Sequence, residues 1–342
     1  VEQWPVWLNL ALFVLAAAAV YQAGVRLAVA ADLLAERTGI GRALLGAVLL
    51  GGVTSLPEGS TTVAAAAIGS PALAVNNILG GVAMQVVVLA LADSVLRRHP
   101  LSFEVAQPSV LLQAALCTLL LGITAAGLLL GDVNLFGLGA WTIAIFVCAL
   151  LAFALLHQGR AREPWKPRRF PHVDSVAGRD AASLRTTRGL ILGIGGLGLV
   201  ILVAGIVLAQ MADALAVQTG LGTGLIGALL LALATSLPEL STTISAIRLG
   251  QHTMAYSNIF GANILDLSLL LLADAAYRGG PVLNHTGTFA LGMTLLAILL
   301  TTVALIGLLE RRRLIIWRFG VDSLVMLLLY VGGFALLYRV AG

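Results

Sequence analysis

Thr54-Ser55-Leu56-Pro57-Glu58 and Thr235-Ser236-Leu237-Pro238-Glu239 are the same five residues, written twice in one chain. The first copy lies in an apolar run from about Gly41 to Gly69, the second in one from about Gly222 to Gly250. Each sets a hydroxyl pair, a helix-breaking proline and a carboxylate in the middle of a segment that otherwise suits lipid. A charged carboxylate at that depth costs about 2.5–3.5 kcal/mol on insertion scales. Two of them in repeated settings indicate an ion site rather than packing.

The surrounding chain fits that reading. Its 342 residues are 59% hydrophobic and only 11% charged, and the mean hydropathy is +1.01. Long, nearly uncharged runs recur from end to end, which places the chain among all-α membrane proteins rather than soluble domains. The alternating ten-residue segments of a β-barrel are absent. The 38 glycines suit close helix packing in lipid. Cys117 and Cys148 sit in apolar segments and read as small buried residues rather than a disulfide or metal pair. The stretch from Val6 to Val25 runs on into a long helix and does not read as a cleavable signal peptide.

A spanning helix needs roughly 20 apolar residues. Ten segments meet that standard: about 6–36, 41–68, 71–96, 107–130, 134–157, 188–218, 222–248, 252–276, 284–309 and 315–340. The first and sixth are long enough to cross at a strong tilt. Residues 158–187 form the only long polar stretch, rich in arginine and proline, and read as a basic cytoplasmic linker between five-helix units at 1–157 and 188–342. With that linker inside, both termini lie outside. Of the 20 lysines and arginines, all but Arg26, Arg278 and Arg339 then fall on the inner side, as the positive-inside rule requires. The positive charge is therefore topological and does not point to nucleic acid. Arg26, within the first span, is expected to be paired or snorkelling.

A shift of 181 positions aligns Ala31–Asp93 with Ala212–Asp274 without a gap, and about 30 of the 63 positions are identical. The matches include Asp32/Asp213, Gly46/Gly227, Ser60-Thr61-Thr62/Ser241-Thr242-Thr243, Asn77-Ile78/Asn258-Ile259, Gly80/Gly261 and Asp93/Asp274. Five spans per unit is an odd number, so equivalent helices cross in opposite directions. Two inverted five-helix repeats are the architecture of secondary transporters, whose substrate sits near the midplane at the repeat interface.

Proline lacks an N–H, and its ring clashes with the carbonyl one turn back. Pro57 and Pro238 should therefore free carbonyls near Val53 and Ala234, with Gly51 and Ala232 close by. Those carbonyls, the hydroxyls of Thr54, Ser55, Thr235 and Ser236, and the carboxylates of Glu58 and Glu239 are all hard oxygen ligands. Thr54 and Glu58 are spaced i, i+4, and Ser55 and Glu58 i, i+3, so they share a helix face. Oxygen-only ligands suit Ca²⁺ or Na⁺. The next helix adds Asn76, Asn77 and Gln85 in the first unit and Ser257, Asn258, Asn263 and Asp266 in the second. Asp266 occupies the position of Gln85, so it is a third deep carboxylate without an acidic counterpart. Asp93 and Asp274, nearer helix ends, are expected at the interface. The bland alternatives are a proline kink whose own hydroxyls satisfy the backbone, a Glu–Arg26 pair, and Ser-Thr-Thr hydroxyls that only pack helices. Symmetric duplication weighs against the first two.

At these residues the chain resembles the sodium/calcium exchanger family of the calcium/cation antiporter superfamily. The resemblance rests on A-T-S-L-P-E-L-S-T-T at 234–243, G-V-T-S-L-P-E-G-S-T-T at 52–62 and S-N-I-F-G-A-N-I-L-D at 257–266. It implies ten helices, with the second, third, seventh and eighth enclosing the ions and the long first and sixth sliding across them. It also implies that Glu58 and Glu239 share a Ca²⁺, with oxygens from Thr54, Ser55, Thr235 and Ser236. Two departures stand out. Where the family commonly reads G-S-N-x-x-N or G-S-N-x-x-D, this chain has Gly81 and Ala262 in place of serine and Gln85 in place of the last asparagine. Those serines would help form flanking Na⁺ sites. The G-N-x-x-E pattern usual in the proton-coupled branch is absent.

The expected function is antiport of Ca²⁺ against Na⁺ by alternating access in the plasma (inner) membrane. No enzymatic activity, cofactor or obligate protein partner is expected; the partners are Ca²⁺, Na⁺ or H⁺, and the lipid bilayer. No ATP-binding motif is present, so an ion gradient would supply the energy. A divalent cation/proton exchanger and a cation channel remain as alternatives. A non-transporting scaffold has little support, since no folded soluble domain is evident.

Overall fold

The computed structural model describes residues 4–39, 42–96, 99–105, 107–158, 186–218 and 236–341. Each of the ten expected spans has a helical counterpart among them, the seventh only over Leu237–Arg248, since residues 222–235 lie outside the described residues. The first is α1, Val6–Thr38. The second is broken into pieces: α2 (Arg42–Leu44), a π-helical turn (Leu45–Leu50), α3 (Gly51–Thr54) and α4 (Leu56–Ala67). Then come α5 (Pro71–Asp93), the short α6 (Leu101–Glu104), α7 (Pro108–Leu130) and α8 (Ala140–Gln158). The second half contains α9 (Thr187–Gln218), α10 (Leu237–Arg248), α11 (His252–Ala276), α12 (Thr288–Glu310) and α13 (Val321–Ala341). Seven of the described helices are long and apolar enough to cross a membrane. The protein is an all-α membrane protein built as two inverted five-helix repeats. Of the expected linker, 158–187, residues 159–185 lie outside the described residues, while Gln158 closes α8 and Thr187 opens α9.

Two of the expected spans begin later than hydropathy suggests. Residues 134–139 and 315–320 form small antiparallel hairpins, pairing Asn134 with Gly139 and Ile315 with Gly320, and the helices start at Ala140 and Val321. Leu135, Phe136 and Leu138 are as apolar as a span, so hydropathy cannot separate them from one. Phe136 and Trp317, 181 positions apart, occupy the same left-handed turn position, at φ 57° and 58°. The internal repeat thus extends to the hairpins, where sequence identity has faded.

The centre is α11, wrapped by α5, α7, α8 and the broken second span. Its contact with the second span is backbone against backbone. A Cβ at Gly51 would come 2.7 Å from the Ala262 nitrogen, and one at Gly46 would come 2.8 Å from the Met254 oxygen. A Cβ at Gly261 would overlap the Ala47 backbone. Small residues are what permit so close an approach in lipid. The long helices α1 and α9 pack along each other outside this core. Gly24 of α1 abuts Ser241 of α10, and Gly205 of α9 abuts Pro57 of α4. Each long helix thus crosses a glutamate-bearing helix through a glycine. Asn9 donates to Gln218 across the α1–α9 pair at 3.0 Å.

Asp93 and Asp274 lie at helix ends, as expected, and are buried there within the protein, at 2% and 0% accessible. Each ends a central helix and ties it to the opposite half. Asp93 accepts from the backbone N–H groups of Leu101 and Gly320, both at 2.6 Å. Asp274 accepts from Val282 N–H at 2.6 Å, from the Thr142 hydroxyl at 2.7 Å and from Gly139 N–H. The two latches are related by the repeat and hold the two hairpins in place.

Asp274→Ala removes the acceptor of three buried donors. An unpaired buried donor costs about 1–3 kcal/mol, so this variant should melt well below the parent in detergent, and Asp93→Ala should follow the same trend. Unchanged melting of both would contradict the latch role.

Candidate functional site

The first glutamate helix is interrupted for a local reason. Ser55 and Ser236 adopt matching bridge-region conformations, φ −76°, ψ −4° and φ −88°, ψ 5°. Ser55 ends one helical stretch and opens the next, and Ser236 opens α10. Pro57 and Pro238 then fall in the first turn of α4 and α10, where a missing N–H costs nothing. Glu58 and Glu239 therefore lie in the first turn of a new helix inside the protein. The positive end of the helix dipole supports their charge there. The π-helical turn just before the first break is a distortion often found at functional sites.

Glu58, Glu239 and Asp266 are 2%, 0% and 1% accessible. Both oxygens of each glutamate, and Oδ1 of Asp266, are buried without a well-formed hydrogen bond among the described residues, although the Gln85 amide near Glu58, the Thr54 hydroxyl near Glu239 and the Ser55 hydroxyl near Asp266 favour their charge. The hydroxyls of Ser55 and Ser236 are also buried without a partner there. No lysine or arginine pairs with the three carboxylates among the described residues. Arg26 is exposed on α1. The three carboxylates interact electrostatically with one another. Buried carboxylates in mutual repulsion are stable only if paired or neutralised. Among the described residues no three His, Cys, Asp or Glu side chains form a compact metal cluster, so hydroxyl and amide oxygens have to complete the shell of any bound ion.

Asp266 has a partner the sequence reading did not give it. Gln85, its repeat equivalent, donates from Nε2 to Asp266 Oδ2 at 2.7 Å. The two halves thus meet at this pair. Thr54 is buried, and its hydroxyl lies 3.0 Å from Leu50 O and 3.1 Å from Gly51 O. The Gly51 carbonyl also accepts from Ser55 N–H at 2.9 Å. One of its lone pairs is thus engaged, and it shares the Thr54 proton with the Leu50 carbonyl. Thr235 and Ala232 lie outside the described residues.

The Ser-Thr-Thr hydroxyls follow the bland reading. Ser60 and Thr61 donate to Pro57 O at 2.8 and 3.1 Å, and Ser241 and Thr242 to Pro238 O at 2.9 and 2.9 Å. Asn77 donates to Thr62 at 2.9 Å, and Asn258 to Thr242 and Thr243 at 2.9 and 3.1 Å. These bonds staple each glutamate helix to the helix after it. Cys117 and Cys148 are free thiols. Gly81 faces the site: a Cβ there would meet only Glu58 Oε1, at 3.9 Å.

Inverted halves, a broken second span and buried acids where the halves meet fit a multi-pass membrane cation antiporter. The chain belongs to the sodium/calcium exchanger protein family, whose model matches residues 8–158 and 189–339. It is 27% identical over 261 residues to the inner membrane protein YrbG of Escherichia coli (strain K12), covering 75% of this chain and 76% of that protein. Solved structures of the sodium-calcium exchanger NCX_Mj share its fold. One, soaked with 10 mM Na⁺ and zero Ca²⁺, matches with a TM-score of 0.71 at 16% identity over 97% of this chain and 99% of the other. Another, soaked with 2.5 mM Na⁺ and 10 mM Sr²⁺, matches with a TM-score of 0.72 at the same identity and coverage.

Two glycines of the site should respond differently to substitution. Gly81→Ser has room and should leave the melting temperature within the small range of neutral changes. Gly51→Ala meets backbone and should lose about 1–3 kcal/mol, as overpacking does. Thermal unfolding of both proteins in one detergent checks this.

Proposed function

We propose that this antiporter exports Ca²⁺ in exchange for Na⁺, with Glu58 and Glu239 sharing the divalent ion. The observation that carries the reading is the set of four unpartnered glutamate oxygens, buried at the starts of two symmetric half-helices. One Ca²⁺ balances two carboxylates and accepts six to eight oxygens. Thr54, Ser55, Thr235 and Ser236 supply neutral oxygens beside them. Asp266 carries a third charge, moderated by the Gln85 amide. Na⁺ ions compete for overlapping oxygens. Exchange follows if Ca²⁺ and Na⁺ exclude one another and the empty, charged site crosses poorly. The long helices α1 and α9 cover α4 and α10 through Gly205 and Gly24, and their movement would open the site to one side at a time. The basic linker lies in the cytoplasm and both termini outside, by the distribution of arginines.

Gly81 and Ala262 lack the hydroxyls that would complete flanking Na⁺ sites. This leaves divalent cation/proton exchange as the second reading, with a carboxylate as proton carrier. Proteoliposomes loaded with Ca²⁺ separate the two. A Na⁺ gradient should drive Ca²⁺ flux, and Glu58→Gln or Glu239→Gln should reduce it to background. Full flux in both variants sinks the site. Flux driven by a pH gradient with no Na⁺ on either side favours the second reading. Single-channel currents without a counter-ion indicate a channel.

A further inference from the structure

The two hairpins of the repeat share a shape but not a charge. Shifted back by 181 positions, Leu314, Ile316 and Trp317 fall on Val133, Leu135 and Phe136, and all six are exposed. By the same shift Arg311, Arg312, Arg313 and Arg318 fall on Leu130, Gly131, Asp132 and Gly137. The first hairpin adopts the same pairing and the same left-handed tip without a cation at any of those positions. The fold of the second hairpin therefore does not depend on its four arginines. This hairpin follows α12, whose 23 residues span about 34 Å, enough to cross the hydrocarbon core. It lies at the depth of the head groups, and Trp317 at its tip, 92% accessible, is a residue type concentrated there.

The arginines are held in place and turned outward. Arg311 donates to Phe103 O at 2.8 Å, and the guanidinium of Arg313 lies over the Phe103 ring, 4.8 Å from its centroid. A guanidinium stacked on a ring is oriented by it and still donates from its edge. Arg312 bonds Glu310 at 2.7 Å while its side chain stays 66% accessible, and a guanidinium has five N–H donors, so it keeps several for a second anion. Arg313 and Arg318 are exposed and bond no carboxylate among the described residues. The other acids at this end are engaged or turned inward. Glu104 lies 3.1 Å from His99, Asp93 accepts from Leu101 and Gly320, and Asp322 is seated against Gly307 and Gly320. The surface is a fixed array of three outward guanidiniums beside three exposed apolar side chains.

We propose that the second hairpin is a docking site for anionic phospholipid. The phosphates accept from Arg312, Arg313 and Arg318, while Leu314, Ile316 and Trp317 rest against the glycerol and the upper acyl chains. The arginines select a head group of net negative charge, because they repel the choline cation of a zwitterionic lipid. The first hairpin keeps the apolar anchor but has Asp132 where the second has Arg313, and it lacks this site. The second hairpin supplies Gly320 to Asp93, so lipid docked here braces that latch, whichever ion is transported.

Native mass spectrometry of the full chain, released from vesicles of equal phosphatidylglycerol and phosphatidylcholine, reads the preference directly. An arginine near a membrane surface is worth about fivefold toward anionic lipid, so the parent should retain phosphatidylglycerol at least about tenfold over phosphatidylcholine. Replacing Arg312, Arg313 and Arg318 together by glutamine should bring that ratio close to one. Arg318→Gln alone should lower it about fivefold, and it serves if the triple variant does not fold. Replacing Arg160, Arg162 and Arg168 of the linker by glutamine removes the same charge elsewhere and should leave the ratio within about twofold. Equal retention of the two lipids by the parent overturns the proposal. So does an unchanged ratio in the hairpin variants, or an equal fall in the linker variant, which would mark diffuse attraction rather than a site.

Discussion

Burying a carboxylate in a bilayer is the constraint around which this molecule is arranged. Two glutamates are held almost without accessible surface, and the chain lowers the cost by starting a helix just before each. The helix starts at Ser55 and Ser236 place each acid at the positive end of a helix and bring hydroxyls to the same place, and at Ser55 the start is a break within the span. Proline is tolerated there only because the break puts it in a first turn. Serine, proline and glutamate therefore act as one local device, and replacing any one alters what the other two can do.

Such a device needs a rigid surround, and small residues provide it. Gly46, Gly51 and Gly261 let the broken second span lie directly on the backbone of α11. Gly24 and Gly205 let the long helices cross α10 and α4 at close range. The asparagine staples from Asn77 and Asn258 fix each glutamate helix to its neighbour, while Asp93 and Asp274 fasten the ends of the central helices to the opposite half. The polar groups of the interior thus divide into two sets. One set is hydrogen-bonded across helices and holds the frame, with Asn258 Oδ1 left over among the described residues. The other, the carboxylates of Glu58 and Glu239, the hydroxyls of Ser55 and Ser236 and the free oxygen of Asp266, is unsatisfied among the described residues, as are Ser257, Asn263 and Thr301. A buried group left unpaired is costly, and more so when it is charged, so the carboxylates stand apart from the scaffold.

Much of this was legible in the sequence. Hydropathy placed the spans, and the 181-residue shift exposed the inverted halves and pointed to the two glutamates. Hydropathy failed at residues 134–139 and 315–320, because an apolar hairpin and an apolar helix start have the same composition. It also could not show that Asp93 and Asp274 point inward. Only the fold brings Gly320 and Gly139, from the opposite half, to their carboxylates. The Gln85–Asp266 bond was hidden for a related reason. Alignment showed that the two positions are equivalent, but equivalence under an inverted repeat becomes contact only when both lie near the symmetry axis. Thr62, Asn77 and their copies carried the same kind of signal as the site residues, and only their satisfied hydrogen bonds reveal a structural role.

The central claim is that Glu58 and Glu239 hold one divalent cation between them. Crystals of the protein soaked in Sr²⁺ and measured for anomalous scattering test it without relying on transport. The account predicts a peak within bonding distance of at least one oxygen from each glutamate, lost in Glu58→Gln and in Glu239→Gln. A peak bound elsewhere, or one that survives both substitutions, would contradict it.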